Sequence, residues 1–298
     1  MSNWLSNPVA LKELRGRMRG ERAFLTLPLY LLVLTAILTM VYTVARGTSL
    51  VMGVATARTV GKSLFTAVLA VQVFLVAFIG PAFTAGAISG ERERQTFDLL
   101  RTTLLPAEAL VRGKLLSALS YILLLVLVSI PLQSIAFLLG GLSGTELIIS
   151  QALILVAAVA YALYGLWCSA ALRRTLGATV ATFAGMLFAL FGIPLIGGAI
   201  VLFYAALFSQ AGPSPTLEAL AGYGGVLGAA TNLPATLIAS EALFLGDGTV
   251  FGTSFPLSAS VTPLWIPSPW WLFILVHLLL ALFFYRRTVR RVREVSDV

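Results

Sequence analysis

Gly90-Glu91-Arg92-Glu93-Arg94-Gln95-Thr96-Phe97-Asp98-Leu99-Leu100 is a dense charged island between two long apolar runs. In a chain that is 59% hydrophobic and 11% charged, the island separates sequence suited to lipid from sequence that must meet water. The runs on either side, 64–89 and 115–139, exceed the roughly 20 apolar residues that a helix needs to cross the hydrocarbon core. Both read as membrane helices, because a backbone in lipid has to satisfy its own hydrogen bonds.

The same measure applied outward yields four more spans, at 24–44, 147–172, 176–209 and 269–285. With a mean hydropathy of +0.97, the chain belongs to the all-α polytopic membrane class. It has six expected transmembrane helices and no mixed-polarity stretch long enough for a large soluble domain. Gly80-Pro81, Pro131 and the Gly192/Pro194 pair are expected kink points. A single cysteine, Cys168, excludes an intramolecular disulfide framework and reads as a small core residue. The first apolar run is too long for the h-region of a cleavable signal peptide and lacks a clear small-residue cleavage site.

The net charge of +8 would suggest nucleic acid in a soluble protein; here topology explains it. Seventeen of the twenty Lys and Arg residues fall in segments that alternation of the six spans puts on one side. Arg46, Arg58 and Lys62 are the exceptions. The positive-inside rule therefore places both termini, the island and the basic tail 286–298 in the cytoplasm; the membrane is expected to be a bacterial or archaeal cytoplasmic membrane. The stretch 211–266, rich in proline and free of Lys and Arg, lies outside by the same rule. Its short apolar pieces are expected to form re-entrant or interfacial helices. Trp265, Trp270 and Trp271 are placed to anchor the last span as an aromatic belt rather than to bind a ligand.

Two segments are amphipathic. Asn7-Pro8 is a strong helix start, and Val9, Leu11, Leu14 and Met18 follow at helical spacing with Lys12, Arg15, Arg19 and Arg22 between them. Residues 7–23 read as a basic helix lying along the membrane surface, the alternative being a charged flank that only sets topology. In the island, Ser89 is expected to cap a helix over 90–105, with Glu91 and Glu93 in its first turn and Phe97, Leu100 and Leu104 on one face. A second short helix is expected from Pro106, carrying Glu108 and Arg112. The island offers a charged, ridged helix for docking on a soluble partner, or else a solvated loop that skims the lipid.

Other candidate sites are weak. Gly61-Lys62-Ser63 matches the end of a P-loop, but the loop's first glycine would fall at Thr56, and the tripeptide lies on the outer side. His277 reads as a packed histidine rather than a proton relay or metal ligand. Gln72, Gln133 and Gln151 read as interhelical glue, with Gln72 the best placed to face a path. The scarcity of charge within the spans argues against a proton- or ion-coupled transporter.

In order along the chain, Asn7-Pro8 with Lys12-Glu13-Leu14-Arg15, a first span, Gly80-Pro81, the tract Ile88 to Leu100, Pro106 and Gly113-Lys114 resemble the permease subunits of ABC-2-type ABC transporters. The motifs cover the first half of the chain and the six-span layout covers all of it; the long outer loop departs from the family pattern in length and proline content. The resemblance implies that 7–23 is an elbow helix and 90–105 a short cytoplasmic coupling helix. Glu91, Arg92, Glu93, Arg94, Thr96, Phe97, Leu100 and Leu104 would meet a separate P-loop ATPase that carries ATP-Mg. It also implies a dimer with a second permease, identical or homologous, and a chain that is not catalytic by itself and binds no cofactor or metal. Two other readings are a membrane-embedded lipid-modifying enzyme and a non-transporting assembly protein. No nucleic-acid partner is implied, and the scarcity of charge in the spans suits an apolar or amphipathic cargo.

Overall fold

The computed structural model describes residues 21–52, 57–95, 106–208, 215–246, 250–255 and 263–296. The helices are α1 (Glu21–Met52), α2 (Ala57–Ala85), α3 (Ser89–Glu93), α4 (Ala107–Leu138), α5 (Gly144–Ala171), α6 (Thr175–Leu187), α7 (Ile193–Phe208), α8 (Pro215–Ala230), α9 (Leu233–Gly246) and α10 (Pro269–Ser296). A π-helical turn, Phe188–Gly192, joins α6 to α7, and strands β1 (Gly252–Phe255) and β2 (Leu264–Pro267) precede α10. Among the described residues, six helical stretches are long and apolar enough to cross a membrane, and they coincide with the six expected spans. The chain forms two units, Met1–Phe183 with Ala281–Val298, and Ala184–Leu280.

In the first unit α2 is the central helix, packed on α4 and α5, with α1 against α2 and α4. Small residues let these helices approach closely, as apolar side chains gain little from leaving lipid for one another. A Cβ on Gly165 of α5 would collide with the Thr84 hydroxyl of α2. At the opposite end of α2, a Cβ on Gly61 would come 2.7 Å from the Ala136 carbonyl oxygen. The glycine of the apparent P-loop remnant is thus a packing glycine in the first turns of a helix. Leu29, Leu32, Met40 and Val44 of α1 point away from this core and are exposed. Pro81 and Pro131 lie inside helices that continue past them.

Several boundaries differ from expectation. The last helix does not stop at 285: α10 runs to Ser296, so most of the expected tail 286–298 is helical. The basic residues there alternate with Val289 and Val292, which are buried, and this apolar face keeps the helix going. No separate helix precedes the third span; α4 starts at Ala107 directly after Pro106, whose extended backbone marks its start. Ala-Glu-Ala-Leu-Val is a good helix-forming sequence, and nothing between it and the apolar run breaks the helix. The expected elbow helix 7–23, with Lys12, Arg15 and Arg19, lies outside the described residues except for 21–23, where Arg22 already belongs to α1.

In the second unit, the π-helical turn falls at the site expected to kink near Gly192 and Pro194. A π turn shifts the hydrogen-bond register and frees carbonyls. Asn232, 2% exposed, donates from Nδ2 to the carbonyls of Ala189 (3.0 Å) and Leu190 (2.9 Å). Its Oδ1 accepts from the Ala235 amide at 3.0 Å, capping α9. The stretch 211–266 contains two short helices, α8 and α9, both too short to span. The β1–β2 hairpin was not expected: it pairs antiparallel from Gly252↔Pro267 to Phe255↔Leu264. Trp270 donates to the Val250 carbonyl at 2.6 Å and packs at a tilt against Phe251, which fastens the hairpin to the start of α10. His277 is buried and stacks on Phe273, with ring centroids 3.7 Å apart, as a packed histidine does.

Candidate functional site

The charged island meets its surroundings through helix ends. After α2 closes at Ala85, a turn over 86–88 leads into α3, which ends at Glu93. Arg94 and Gln95 form a turn, with Gln95 at a positive φ of 56°, so the helix expected over 90–105 is interrupted there. A left-handed residue at this position ends a helix much as a C-terminal glycine or asparagine does. Thr96, Phe97, Leu100 and Leu104 lie outside the described residues.

Ser89 does not cap α3. It is fully buried against α5, and the cap comes from that helix instead. The Ser169 hydroxyl oxygen accepts from the backbone amides of Ile88 (2.9 Å) and Ser89 (3.0 Å), and its partner hydroxyl on Ser89 is 3.2 Å away. This satisfies amide donors that the first turn of a helix leaves over.

The three charges that follow reach three different helices. Glu91 accepts from the Lys114 ammonium of α4 at 2.8 Å, and the Lys114 side chain is only 2% exposed against 27% for Glu91. Arg92 donates from Nη1 to the carbonyl of Ala170 at 3.0 Å, at the C-terminal turn of α5. A cation there complements the negative end of the helix dipole. Glu93 accepts from the Thr175 amide at 2.9 Å and from its hydroxyl at 2.5 Å, at the first residue of α6. An acid at a helix N-terminus is favoured for the complementary reason. Arg94 is exposed and points to none of these.

Neighbouring contacts extend the network. Glu108 pairs with Arg112 one turn on (2.7 Å) and with Arg293 of α10 (3.7 Å), while Arg112 also donates to the Tyr285 hydroxyl at 2.9 Å. Segments that the Lys and Arg distribution assigns to one side of the membrane are therefore brought together in one unit.

A second polar centre lies within the spans. Gln72 of α2, Gln133 of α4 and Ser129 of α4 are fully buried. Gln72 donates to the Ser129 hydroxyl at 2.6 Å, and its carbonyl oxygen accepts from Gln133 (3.1 Å) and Gln151 of α5 (3.3 Å). The three glutamines that read separately as glue meet at one oxygen. Their separation along the chain hid this; only the packing of α2 between α4 and α5 brings them together. Residue type alone had marked each as a candidate for interhelical bonding. The Ser169 cap carried no comparable sequence signal.

No protein-family model matches the chain, and no curated protein sequence matches it at a significant level.

Proposed function

We propose that the chain is the permease subunit of an ABC exporter in the bacterial or archaeal cytoplasmic membrane, with both termini cytoplasmic. In this reading it encloses a substrate path with a second permease, identical or homologous. Its motion comes from a separate P-loop ATPase that binds ATP-Mg, and the chain itself is not catalytic.

The observation that carries the reading is the fastening of the island. Glu91, Arg92 and Glu93 each hold a different helix, so a displacement of the turn that follows them is delivered to α4, α5 and α6 together. This is what a coupling element has to do: its outer part meets the driver and its base is tied to the elements that must move. It divides the island's residues by role. Glu91, Arg92 and Glu93 transmit, whereas Arg94, Thr96, Phe97, Leu100 and Leu104 make the contact. The tract's resemblance to ABC-2 permeases supports the same assignment. The exposed apolar face of α1 supplies a surface for lipid or for the second permease.

The test is co-purification and ATPase stimulation. The tagged full-length chain is isolated from its native membranes, and a P-loop ATPase is expected to come with it. Phe97→Asp should lose that subunit. Glu93→Ala should retain it but lose stimulation of hydrolysis by the permease. If no P-loop ATPase accompanies the wild-type chain, or if both variants behave as wild type, the assignment is wrong.

A further inference from the structure

Among the described residues of the inner network each acid has a partner, and two arginines have no acid. Glu91 is engaged by Lys114, Glu93 by Thr175, Glu108 by Arg112 and Arg293, and Glu294 by Arg290. Among the described residues Arg173 and Arg291 make no ion pair, although both lie near enough to Arg92 for their charges to act on it. Arginines of three segments, the island, the α5–α6 connection and the last helix, therefore lie close enough for their charges to interact.

Packing brings these segments together. Phe284 of α10 contacts Tyr164 and Trp167 of α5, with ring centroids 5.2 and 5.6 Å apart. Further along both chains, Arg92 bonds the Ala170 carbonyl and feels Arg173 and Arg291. The contacts advance in the same direction on both segments, so α5 and α10 run parallel here. Arg291, two turns beyond Phe284, is carried to the end of α5 by the aromatic contact. Like charges held together this way repel, and the arrangement is favourable when an anion lies between them.

We propose that Arg92, Arg173 and Arg291 form a binding site for the phosphate of an anionic membrane lipid, of the phosphatidylglycerol type. Basic pockets between helices at a membrane surface suit such headgroups. Guanidinium groups match phosphate oxygens in pairs of parallel hydrogen bonds. A lipid is favoured over a free anion because the contacts of Phe284 with Tyr164 and Trp167 lie one to two turns back along α5 and α10, on the spanning side, where acyl chains would pack. The site is independent of the ATPase reading and would hold whatever drives the chain.

The full-length chain in mild detergent is titrated with phosphatidylglycerol or with phosphatidylcholine of the same acyl chains, and bound lipid is counted by native mass spectrometry. Wild type should retain one phosphatidylglycerol selectively. Arg173→Gln and Arg291→Gln should each weaken retention about fivefold, from the usual worth of one basic residue near a charged surface. Arg290→Gln, on the same helix with the same loss of charge, should stay within about twofold. Arg291→Lys, which keeps the charge and guards against misfolding as the cause, should retain more lipid than Arg291→Gln. Equal losses for Arg290→Gln and Arg291→Gln would overturn the site, since the effect would then be general surface charge. So would binding of inorganic phosphate without selective lipid retention. Loss of a co-purifying protein from Arg173→Gln with lipid retention unchanged would also overturn it, by making the patch a protein contact.

Discussion

The glutamine cluster and the island's ion pair both tie the central helix to α4, but they use different chemistry at different depths. At mid-span the groups are neutral amides, because an ion there costs several kcal/mol and an amide only needs its hydrogen bonds met. At the island the tie is a charge pair, Glu91 with Lys114, in which the cation is sealed off and the acid keeps 27% exposure. The two differ in how they fail. Gln133 and Gln151 each retain a buried carbonyl oxygen without a partner among the described residues, so they have acceptors in reserve if Gln72 is lost. Lys114 is instead a charge at a 2% exposed position, and the loss of Glu91 leaves that charge buried. The amide cluster should therefore yield gradually and the ion pair abruptly.

The largest expected effect is at Glu91. Glu91→Gln leaves a cation in a 2%-exposed position and should cost about 3–5 kcal/mol, read as a fall in thermal unfolding temperature in detergent. The exchange Glu91→Lys with Lys114→Glu should restore much of it, and no recovery would mean that the pair's surroundings, not the pair, hold this end. Next comes Gly165→Ala, which drives a methyl group into the Thr84 hydroxyl and should cost about 1–3 kcal/mol by overpacking. If it is silent, α2 and α5 are less closely packed than the crossing requires. Gln72→Leu removes three hydrogen bonds, each worth about 0.6 kcal/mol within a membrane, so a loss of about 2 kcal/mol is the ceiling and re-pairing of Gln133 with Gln151 should reduce it. A cost above that of Glu91→Gln would reverse the comparison. The smallest effect is Arg290→Ala, which breaks an exposed i, i+4 pair with Glu294 and should change stability by about 0.3 kcal/mol.

Much of the architecture was legible before any coordinates. Long apolar runs in a bilayer have one solution, the helix, so the spans at 24–44, 64–89, 115–139, 147–172 and 176–209 coincide with helices whose ends differ by at most eight residues. The errors arose where local sequence was ambiguous about continuation. Arg286 onward looked like a tail, since its charge outweighs the widely spaced Val289 and Val292 that keep α10 helical. Ser89 looked like a cap because serine usually is one at that point; burial turned its side chain toward Ser169. The hairpin before α10 escaped notice because four-residue strands leave almost no periodic trace in a proline-rich stretch.

The candidate site divides in the same way. Composition alone marked the island as the segment to watch, and residue types alone marked Gln72, Gln133 and Gln151 as bonding groups. Neither could say what each group meets. A charge or an amide is a demand for a partner, and its chemistry is written in the residue; the partner is a matter of which helices lie side by side. By itself the sequence determined six apolar helices and the alternation of basic loops, because lipid forbids exposed backbone polar groups and the Lys and Arg count is local. Tertiary structure decided that Glu91, Arg92 and Glu93 hold α4, α5 and α6, and that three glutamines share one oxygen. Those contacts join residues far apart in the chain, and only the packing of α2 against its neighbours brings them within bonding distance.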